Sequence, residues 1–480
     1  MLDSKKVRIT ALAFLVILYF VFRLPGLGFD ISNTDAIRWH NRSENFLQAL
    51  KVGDFKSTYQ HYQPGVTLMW LNAFVKQASF TYQYSILGNP APNTLENADF
   101  YPIIHGYSKL MILLVLSGLL TFQFLALEKL FNFKIAVIFV VLTSLEPYLI
   151  GMDRWFHLTS LETYFAFSSL LSIMLWKKNS QRKYLIFSAI LFAFSVLSKL
   201  TTLVTIPVYL IIFFKKPVKS IFLFSAISFI TFALCFPAFI VDPIYVLTKL
   251  FSAATAAVNE NYRNDLLTPF NSIFFYDLVL LLKLSPITVL LFILGIFKTK
   301  NPIFLINILV YYIFLSISDQ KIDRYSLAMF PSILLICATY INSLKLSTQK
   351  LIILSTFVFT ISMSYIYYPV YSAYYSPILG GTSGALKLKL YDNSGEYFAQ
   401  AAFYLNQKGR KIKTYVPNGF ASFDPFYKGE YSQNIEESDY LVSSLDLTRL
   451  SPENLSCKTP DKNFGSNEKV VVFVFKCNNE

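Results

Sequence analysis

Long apolar runs separated by shorter polar connections dominate the chain from its N-terminus to about Tyr371. A membrane-spanning helix needs about 20 apolar residues, with a range of about 17–25. The runs predict eleven spans, several of them short by that measure, near 8–24, 104–127, 134–150, 158–176, 184–198, 200–214, 219–241, 278–297, 302–318, 325–343 and 350–371. This pattern predicts an all-α polytopic membrane protein.

Lys and Arg gather in every second connection between these runs. The basic set is Lys5, Lys6 and Arg8; Lys129 and Lys134; Lys177, Lys178, Arg182 and Lys183; Lys215, Lys216 and Lys219; Lys298 and Lys300; Lys345 and Lys350. Cytoplasmic loops are enriched in these residues, so this set and the N-terminus are predicted to be cytoplasmic. The other side, outside the plasma (inner) membrane, then receives 25–103, 151–157, 242–277, 319–324 and the whole chain after Tyr371.

The apolar stretch 184–214 is divided in two in this interpretation. As one helix it would be about 45 Å long, which exceeds the hydrocarbon layer. Basic clusters lie at both of its ends, and a single crossing would put them on opposite sides. A hairpin that turns near Ser198-Lys199 satisfies both facts. The apolar segments 64–80 and 244–258 are predicted to be interfacial or partly buried helices instead of spans.

The chain changes character after residue 371, so residues 1–371 are predicted to form a transmembrane domain and 372–480 an extracytoplasmic α/β domain. Residues 395–407 have a helical pattern, and β-type runs follow at Lys413–Val416, Tyr440–Ser443 and Val470–Phe475. Cys457 and Cys477 lie in this region, in a compartment that permits disulfides. Whether they pair is left open, because sequence does not give the distance between their Cα atoms.

Composition agrees with a membrane protein and removes one class of function. The 480 residues are 54% hydrophobic and 15% charged, with a mean hydropathy of +0.47, whereas soluble domains have about 25% charged residues. The net charge of +13 lies in clusters at the ends of apolar runs. Membrane topology therefore explains the charge, and nucleic acid is not an expected partner.

The first extracytoplasmic connection, 25–103, contains a long polar stretch from Phe29 to Leu71. A connection of that length is usually functional. Its ionisable residues are Asp30, Asp35, Arg38, His40, Arg42, Glu44, Asp54 and His61. Other ionisable groups fall at the same outer side: Glu146, Asp153, Arg154, His157, Glu162, Lys199, Asp277, Lys283, Asp319, Lys321, Asp323 and Arg324. Such groups are costly at membrane depth, so together they predict an outward-facing polar site with carboxylates and cations.

Each of these residues also has a structural interpretation. Arg154 is able to snorkel to the interface while His157 caps or packs against a helix, and Lys199 and Lys283 are able to snorkel likewise. Asp35 would serve as the N-cap of a helix over 36–50. Residues 319–325 would form a solvated turn. The shared side of the membrane favours the functional interpretation for the group as a whole.

Several motifs follow one another in a specific order. Asp35-Ala-Ile-Arg-Trp-His-Asn-Arg-Ser is similar to D-E-x-x-W-x-x-R-S, and Gln63-Pro-Gly-Val-Thr-Leu-Met-Trp-Leu to H-P-G-V-T-x-M-W-L. Further matches are Phe46–Asp54, Leu145–Glu162, the Ser198-Lys199 step, Lys321–Pro331, and 375–381 and 395–406 in the tail. In these motifs the chain resembles the bacterial C-type glycosyltransferases that use polyprenyl-phosphate sugars, the superfamily of protein O-mannosyltransferases (family 39) and aminoarabinose transferases.

The resemblance implies transfer of a sugar from polyprenyl phosphate, with inversion, to a hydroxyl of a protein, lipid or glycan acceptor. A hydroxyl needs a base, and Asp35 is the first choice, ahead of Glu44 and Asp54. The departing phosphate is stabilised by fixed cations, and one or two of the five assigned to it are expected to be structural: Arg154, His157, Lys199, Lys283 and Arg324. Arg38, Arg42, His61 and Tyr325 are further site candidates.

The chain departs from the family pattern at three positions: Ala36 replaces a Glu, Gln63 a His, and Thr159 an Asp. The paired-acid arrangement is therefore incomplete. We expect no cofactor, and the requirement for a divalent metal is left open. Two alternatives also remain: a flippase or transporter of lipid-linked sugars, and a non-catalytic cell-envelope assembly protein. Transporters usually have internal repeats and midplane sites, and neither is evident here.

Overall fold

The computed structural model describes residues 4–82, 98–258, 267–299, 301–445, 457, 459–466 and 469–477. The α-helices are α1 (Ser4–Val21), α2 (Ala36–Val52), α3 (Val66–Thr81), α4 (Tyr101–Leu130), α5 (Phe133–Leu145), α6 (Pro147–Asp153), α7 (Leu158–Asn179), α8 (Arg182–Ser198), α9 (Ile206–Phe213), α10 (Val218–Cys235), α11 (Pro237–Val241), α12 (Pro243–Val258), α13 (Pro269–Ile273), α14 (Phe275–Lys283), α15 (Pro286–Ile296), α16 (Ile303–Ile317), α17 (Phe330–Ser343), α18 (Leu346–Tyr367), α19 (Gly381–Lys387), α20 (Phe398–Asn406) and α21 (Phe420–Phe423). Short 3-10 helices cover Phe55–Thr58, Leu200–Thr205, Asp323–Met329, Tyr371–Ala373, Pro377–Leu379, Asp424–Phe426 and Ile435–Glu437.

The helical body has α7 at its centre, packed against α4 and α8, with α5 and α17 beside them. By length and composition, five described segments are able to span a membrane: α4, α7, α10, Asp323–Ser343 and α18. The number is six if α5 and α6, bent by 70° at a break, form one span. The polytopic helical fold is thus confirmed, whereas the count of eleven spans stays a prediction. Shorter apolar helices occupy several of the other predicted positions: Leu200–Phe213, Pro286–Ile296 and Ile303–Ile317.

Two of the helix boundaries follow directly from local sequence. The bend between α5 and α6 falls at Glu146-Pro147, where proline cannot continue the hydrogen bonding of the preceding helix and starts a new one instead. α15 begins after Ser285, whose hydroxyl accepts a hydrogen bond from the backbone N–H of Thr288 at 3.2 Å. These breaks let the outer ends of the helices turn toward one another.

The predicted turn at Ser198-Lys199 is confirmed. Lys199 has extended backbone angles between α8 and the 3-10 helix that follows. The rings of Phe192 and Tyr209 lie with centroids 5.1 Å apart, although one continuous helix would separate these residues by about 25 Å. The chain therefore folds back, and the turn brings Lys199 to one end of the bundle.

The segment that precedes α3 fastens the first outer loop to this turn. The backbone N–H of Gly65 donates to the carbonyl of Ser198 at 3.2 Å, and the Gln63 side chain accepts from the N–H of Leu200 at 3.3 Å. Gly65 has a positive φ of 60°, and a Cβ atom there would lie 2.2 Å from the ring of Trp39. Glycine is thus required both by the turn and by the close approach of α2.

The segments 64–80 and 244–258 are helical, as predicted, and correspond to α3 and α12. α3 buries one face, including Leu68, Met69 and Asn72. The placement of both helices at the membrane surface stays a prediction. Most of the polar run 81–102 and the basic residue at position 300 lie outside the described residues.

The tail carries a five-stranded sheet in the order β2-β1-β3-β5-β4. The strands are β1 (Lys413–Tyr415), β2 (Glu430–Tyr431), β3 (Tyr440–Ser444), β4 (Thr459–Ser466) and β5 (Lys469–Lys476). β1 is parallel to β2 and β3, whereas β5 is antiparallel to β3 and β4. The three predicted strands and the predicted helix, here α20, are confirmed. β4 was missed because Pro460, Asp461 and Gly465 are poor strand formers, and its pairing with β5 overrides that preference.

Cys457 and Cys477 form a disulfide bond. It joins the residues flanking the β4–β5 hairpin and packs with Leu441 of β3 in a small apolar cluster. The small α/β unit is therefore confirmed, and the pairing left open by the sequence is resolved. The boundary drawn at residue 371 stays a prediction.

Candidate active site

Asp35 lies at the N-terminus of α2, but its carboxylate makes no capping hydrogen bond to that helix. One oxygen, Oδ2, accepts a hydrogen bond from Arg324 Nη2 at 3.3 Å and lies 3.6 Å from His157 Nε2. The other oxygen, Oδ1, is 3.8 Å from Arg38. The capping alternative is thus not supported, because Oδ2 faces two residues from distant parts of the chain and Oδ1 faces Arg38.

Ala36, which follows Asp35, is fully buried. A glutamate at this position would have to displace packed neighbours, since protein interiors leave few voids of that size. The change from Glu to Ala is therefore consistent with a site built around one carboxylate in this loop. Among the described residues, no group of three His, Cys, Asp or Glu side chains is arranged to hold a metal ion.

His157 is held in one orientation by Thr159. The Thr159 backbone N–H donates to His157 Nδ1 at 3.3 Å, and the Thr159 hydroxyl lies 2.9 Å from the same nitrogen. Nδ1 is therefore an acceptor, which places the proton of the neutral ring on Nε2, the nitrogen that faces Asp35. The threonine that replaces the family aspartate thus fixes the imidazole without adding charge.

The protonation states in this pocket differ from those of free side chains. Burial alone would raise the pKa of Asp35, but the hydrogen bond from His157 and the charges of Arg324 and Arg38 lower it well below its usual range. Burial lowers the pKa of His157 to about 4, although Asp35 opposes that shift. At neutral pH the pair is thus an ionised carboxylate and a neutral imidazole.

Lys199 lies beside this pair and is held loosely. Its ammonium is 3.5 Å from the centroid of the Tyr325 ring and 3.9 Å from the carboxylate of Glu162. Tyr325 follows Arg324 in the 3-10 helix Asp323–Met329 and donates its hydroxyl hydrogen to Gln320 at 3.0 Å. Two cations from separate helices, Lys199 and Arg324, therefore lie next to the same tyrosine.

Arg324 retains an unused donor. Its side chain is 16% exposed, and its Nε is buried without a hydrogen-bond partner among the described residues. A buried N–H without a partner is costly, so such a group is suited to receive an oxygen atom of a ligand.

Two of the predicted phosphate-binding cations are already paired. Arg154 is buried and donates through Nε and Nη2 to Asp30, at 3.1 and 2.9 Å. Lys283 lies 3.1 Å from Asp323 and 3.6 Å from the centroid of the Tyr375 ring. Arg154 thus belongs to a closed ion pair, and Lys283 is covered by a residue of the tail.

Of the remaining candidates, some lie at the rim of the pocket and others form contacts within their own part of the chain. Arg38 is 71% exposed, and Arg42 stacks over the Trp39 ring at 4.5 Å. Glu44 pairs with Lys76 at 2.9 Å. These contacts place Arg38 and Arg42 at the outer rim of the Asp35 pocket, and they give Glu44 a partner on α3.

His61 and Asp54 lie in the segment between α2 and α3. His61 packs its ring against Trp39 and Tyr62 and accepts from the backbone N–H of Gln63. Burial, together with the charge of Arg42, lowers the pKa of His61 to about 4. Asp54 is exposed and caps the 3-10 helix Phe55–Thr58 by accepting from the N–H and hydroxyl of Ser57. The contacts of Asp54 are thus those of a helix cap.

An apolar cavity of about 650 Å³ begins at this polar group. Its walls are supplied by the segment after Lys199, by α16 and by the first loop: Tyr62, Gln63, Leu200, Thr201, Leu203, Val204, Pro207, Val310, Ile313, Phe314, Leu315, Ile317, Ser318, Gln320 and Tyr325. Leu203, Ile313 and Ile317 in its wall are exposed on the surface of the helical body. No charged side chain lines this cavity, but two of its lining residues, Leu200 and Tyr325, are the chain neighbours of Lys199 and Arg324.

Sequence reasoning missed one network beneath the site. Lys109 is buried in the apolar helix α4 and donates to Asp30 at 2.8 Å. His40 and His105 lie 2.9 Å apart between the ring nitrogens, and His105 is 3.0 Å from the carbonyl of Ile31. Lys109 stood out in the sequence as a lone charge within the predicted span 104–127, and that signal would have found it.

Comparison with known proteins identifies the fold. No protein family model matches the chain, and no curated protein sequence matches it. Among solved structures, ArnT from Cupriavidus metallidurans bound to undecaprenyl phosphate superposes with a TM-score of 0.54, at 10% identity over 98% of both chains. The apo form of that protein gives a TM-score of 0.51 with the same identity and coverage.

The chain thus has the fold of the C-type glycosyltransferases, as the sequence motifs implied. An oligosaccharyltransferase from Archaeoglobus fulgidus overlaps with a TM-score of 0.49, at 12% identity over 90% of this chain and 68% of its own length. At such identities the likeness establishes architecture, and function has to be argued from the site.

Proposed function

We propose that the chain is a membrane glycosyltransferase that moves a sugar from a polyprenyl-phosphate donor to an acceptor hydroxyl on the extracytoplasmic side. The observation that carries this proposal is the Asp35 carboxylate, which lies against Arg324 and His157, in a polar cluster with an apolar cleft beside it. A donor with a phosphate and a long hydrocarbon chain has the same two parts, one charged and one apolar.

The hydrocarbon chain lies along the apolar walls, and the phosphate meets Arg324 and Lys199. The buried Nε of Arg324 and the loosely held ammonium of Lys199 each have hydrogen atoms to offer to phosphate oxygens. The structural neighbour ArnT was solved with undecaprenyl phosphate, a ligand of this chemical class. Arg154 and Lys283 act as structural cations in this proposal, because each is already paired with an aspartate.

The transfer is a single displacement with inversion. The acceptor oxygen forms a bond to the anomeric carbon as the bond from that carbon to the phosphate oxygen breaks, and the electron pair of that bond leaves with the phosphate. Asp35 accepts the proton of the acceptor hydroxyl. Arg324 and Lys199 stabilise the negative charge that develops on the phosphate, and the Nε2–H of His157 orients the Asp35 carboxylate.

The outward placement of the site rests on two features. The disulfide Cys457–Cys477 lies in the tail, and disulfides persist in oxidising compartments. The basic clusters that are predicted to be cytoplasmic belong to connections other than those that carry Asp35 and His157. Both features favour an extracytoplasmic site and a plasma-membrane location.

Release of polyprenyl phosphate from a labelled polyprenyl-phosphate sugar by the purified protein tests this function. Asp35→Asn keeps the shape of the side chain and removes its basicity. The rate should fall by about 10²–10⁴-fold, at the lower end of that range because the cations that lower the pKa of Asp35 also weaken it as a base. Glu44→Gln serves as a matched control, because it removes a carboxylate of α2, the helix that begins just after Asp35, and this carboxylate pairs with Lys76.

Three outcomes separate the competing functions. A large loss in Asp35→Asn with an active control supports the proposal. Equal rates in the wild type and Asp35→Asn would remove Asp35 from the chemistry. A wild type that releases no polyprenyl phosphate under any acceptor condition would favour a flippase or an assembly protein.

A further inference from the structure

Glu162 lies on α7 one helical turn after Thr159, directly beneath the candidate site. Its side chain is buried, and its Oε1 accepts hydrogen bonds from the hydroxyls of Thr201 and Thr202. Its Oε2 faces Lys199 at 3.9 Å. The carboxylate thus joins two elements, the start of α7 and the turn after α8, at the end of the apolar cavity.

The separation between Glu162 and Lys199 is unusual among the buried ion pairs of the described residues. Lys109 lies 2.8 Å from Asp30, and Lys283 lies 3.1 Å from Asp323. Charge-assisted hydrogen bonds are about 2.7–2.9 Å long. The ammonium of Lys199 is therefore attracted by Glu162 but does not form a short hydrogen bond with it. Its closest neighbour is the face of the Tyr325 ring.

Glu162 and Lys199 lie next to residues that form the wall of the cavity. Leu200 and Thr201, which follow Lys199 in the chain, line the cavity wall together with Tyr325. Because Glu162 binds the Thr201 hydroxyl and attracts Lys199, it sets the direction in which both side chains point. Removal of the carboxylate would leave the buried ammonium without its nearest opposite charge, at a cost in desolvation.

We propose that Glu162 is a positioning residue that holds Lys199 and Thr201 at the polar end of the cleft, ready to receive the donor phosphate. This inference rests on the proposed function, because the phosphate is that of the lipid-linked donor. On binding, the ammonium moves from the long contact with Glu162 to a short contact with a phosphate oxygen. Glu162 itself touches neither the sugar nor the phosphate, so its effect reaches the donor through Lys199.

Steady-state kinetics of polyprenyl-phosphate release by the full-length protein test the inference, with Glu162→Gln and Glu162→Asp. Glu162→Gln should raise KM for the donor by about tenfold to a hundredfold, in the range seen when the partner of a ligand-binding residue is removed. The value of kcat should change less than KM, because the carboxylate affects donor binding before the transition state. Glu162→Asp keeps the charge and should recover most of the loss.

The pH dependence of kcat/KM distinguishes a positioning role from a purely structural one, because a purely structural role would not shift it. Burial and the charge of Arg324 lower the pKa of Lys199, whereas Asp35 and, more strongly, the Glu162 carboxylate oppose that shift. Without the carboxylate, Lys199 loses its proton at a lower pH. The alkaline limb of kcat/KM should therefore move to lower pH in Glu162→Gln and return toward that of the wild type in Glu162→Asp.

Glu146→Gln is the matched control. Glu146 is also buried and also accepts from two hydroxyls, those of Ser285 and Thr288. It has no lysine partner among the described residues. The control should show the stability cost of neutralising a buried glutamate while the donor KM and the alkaline limb stay unchanged.

The outcomes distinguish this inference from the proposed function. An active wild type whose donor KM and alkaline limb are unchanged in a folded Glu162→Gln would overturn the positioning role and leave the proposed function standing. A wild type that neither binds polyprenyl phosphate nor releases it would overturn both. If Glu162→Gln does not fold, Thr201→Val keeps both charges and removes one hydroxyl, and an unchanged rise in Tm on addition of polyprenyl phosphate to this variant would overturn the inference.

Discussion

Two carboxylates five residues apart in the first outer loop have opposite environments. Asp30 is 1% exposed and is held by Lys109 at 2.8 Å and by Arg154 at 2.9 Å. Asp35 is 26% exposed, with the cations Arg324 and Arg38 at 3.3 and 3.8 Å and the neutral ring of His157 at 3.6 Å. The charges around the two residues are similar, yet one cluster is closed and the other is open.

The difference separates a structural ion cluster from a candidate reaction site. In the Asp30 cluster both carboxylate oxygens have short contacts, to Lys109 at 2.8 Å and to Arg154 at 2.9 Å, and all three side chains are buried. In the Asp35 cluster the contacts are longer, Arg324 Nε has no hydrogen-bond partner among the residues that the structure describes, and an apolar cavity lies nearby. The number of charges in a cluster is therefore a weaker indication of function than whether those charges are already paired with one another at short distance.

The largest expected effect concerns stability at Asp30. Asp30→Asn leaves Lys109 and Arg154 buried without a charged partner, and removing one member of a buried ion pair costs about 3–5 kcal/mol. Asp35→Asn removes a carboxylate that is 26% exposed and whose contacts are longer, so a smaller loss of stability is expected. Thermal unfolding of both variants in the same detergent measures the contrast. Equal losses of stability would mean that the two clusters do not differ in the way described.

A smaller effect is expected at the open cluster for Arg324→Lys. Lysine keeps the charge but loses the planar group that reaches Asp35 with Nη2 and has its Nε free for a ligand. We expect kcat/KM for donor turnover to fall by roughly tenfold to a hundredfold, with little change in the midpoint of unfolding. The same exchange at Arg154, which lies in the closed cluster, should instead lower the unfolding midpoint. If Arg324→Lys lowered the unfolding midpoint and the exchange at Arg154 lowered kcat/KM instead, Arg324 would be the structural cation and Arg154 the one that acts on the donor.

The smallest effect is in the acid limb of the pH profile. The cations around Asp35 hold its pKa well below the usual range, and burial holds the pKa of His157 at about 4. A depressed carboxyl pKa means that the charged form, with its ion pairs, persists as pH falls until the folded pKa is reached. We expect kcat/KM to be flat between about pH 7 and about pH 5. An acid limb centred near pH 6 would point to a different base.

Much of the architecture was available from the pattern of apolar runs and basic clusters. The turn at Ser198-Lys199 followed from helix length and charge alone, and the structure confirms it. The order of motifs was enough to indicate the fold. The number of spans was not confirmed, because several helices are short or bent and their relation to a membrane depends on packing that one sequence does not describe.

The candidate site was predictable in its members and unpredictable in their pairing. Asp35, Arg324, His157 and Lys199 converge although as many as 289 residues separate two of them. Arg154 carries the same charge as Arg324, yet it pairs with Asp30. Which cation is paired with a buried carboxylate depends on the rotation and depth of each helix. A pattern of residues along the chain does not contain those quantities.

The open side of the apolar cleft determines how a donor would arrive. Because Leu203, Ile313 and Ile317 lie on the outer surface of the helical body, a lipid would reach the polar cluster by sideways diffusion within one leaflet. The relevant concentration would then be its mole fraction among the surrounding lipids and not its amount per volume of solution. Rates measured in nanodiscs would fall when inert lipid is added at a fixed total amount of donor.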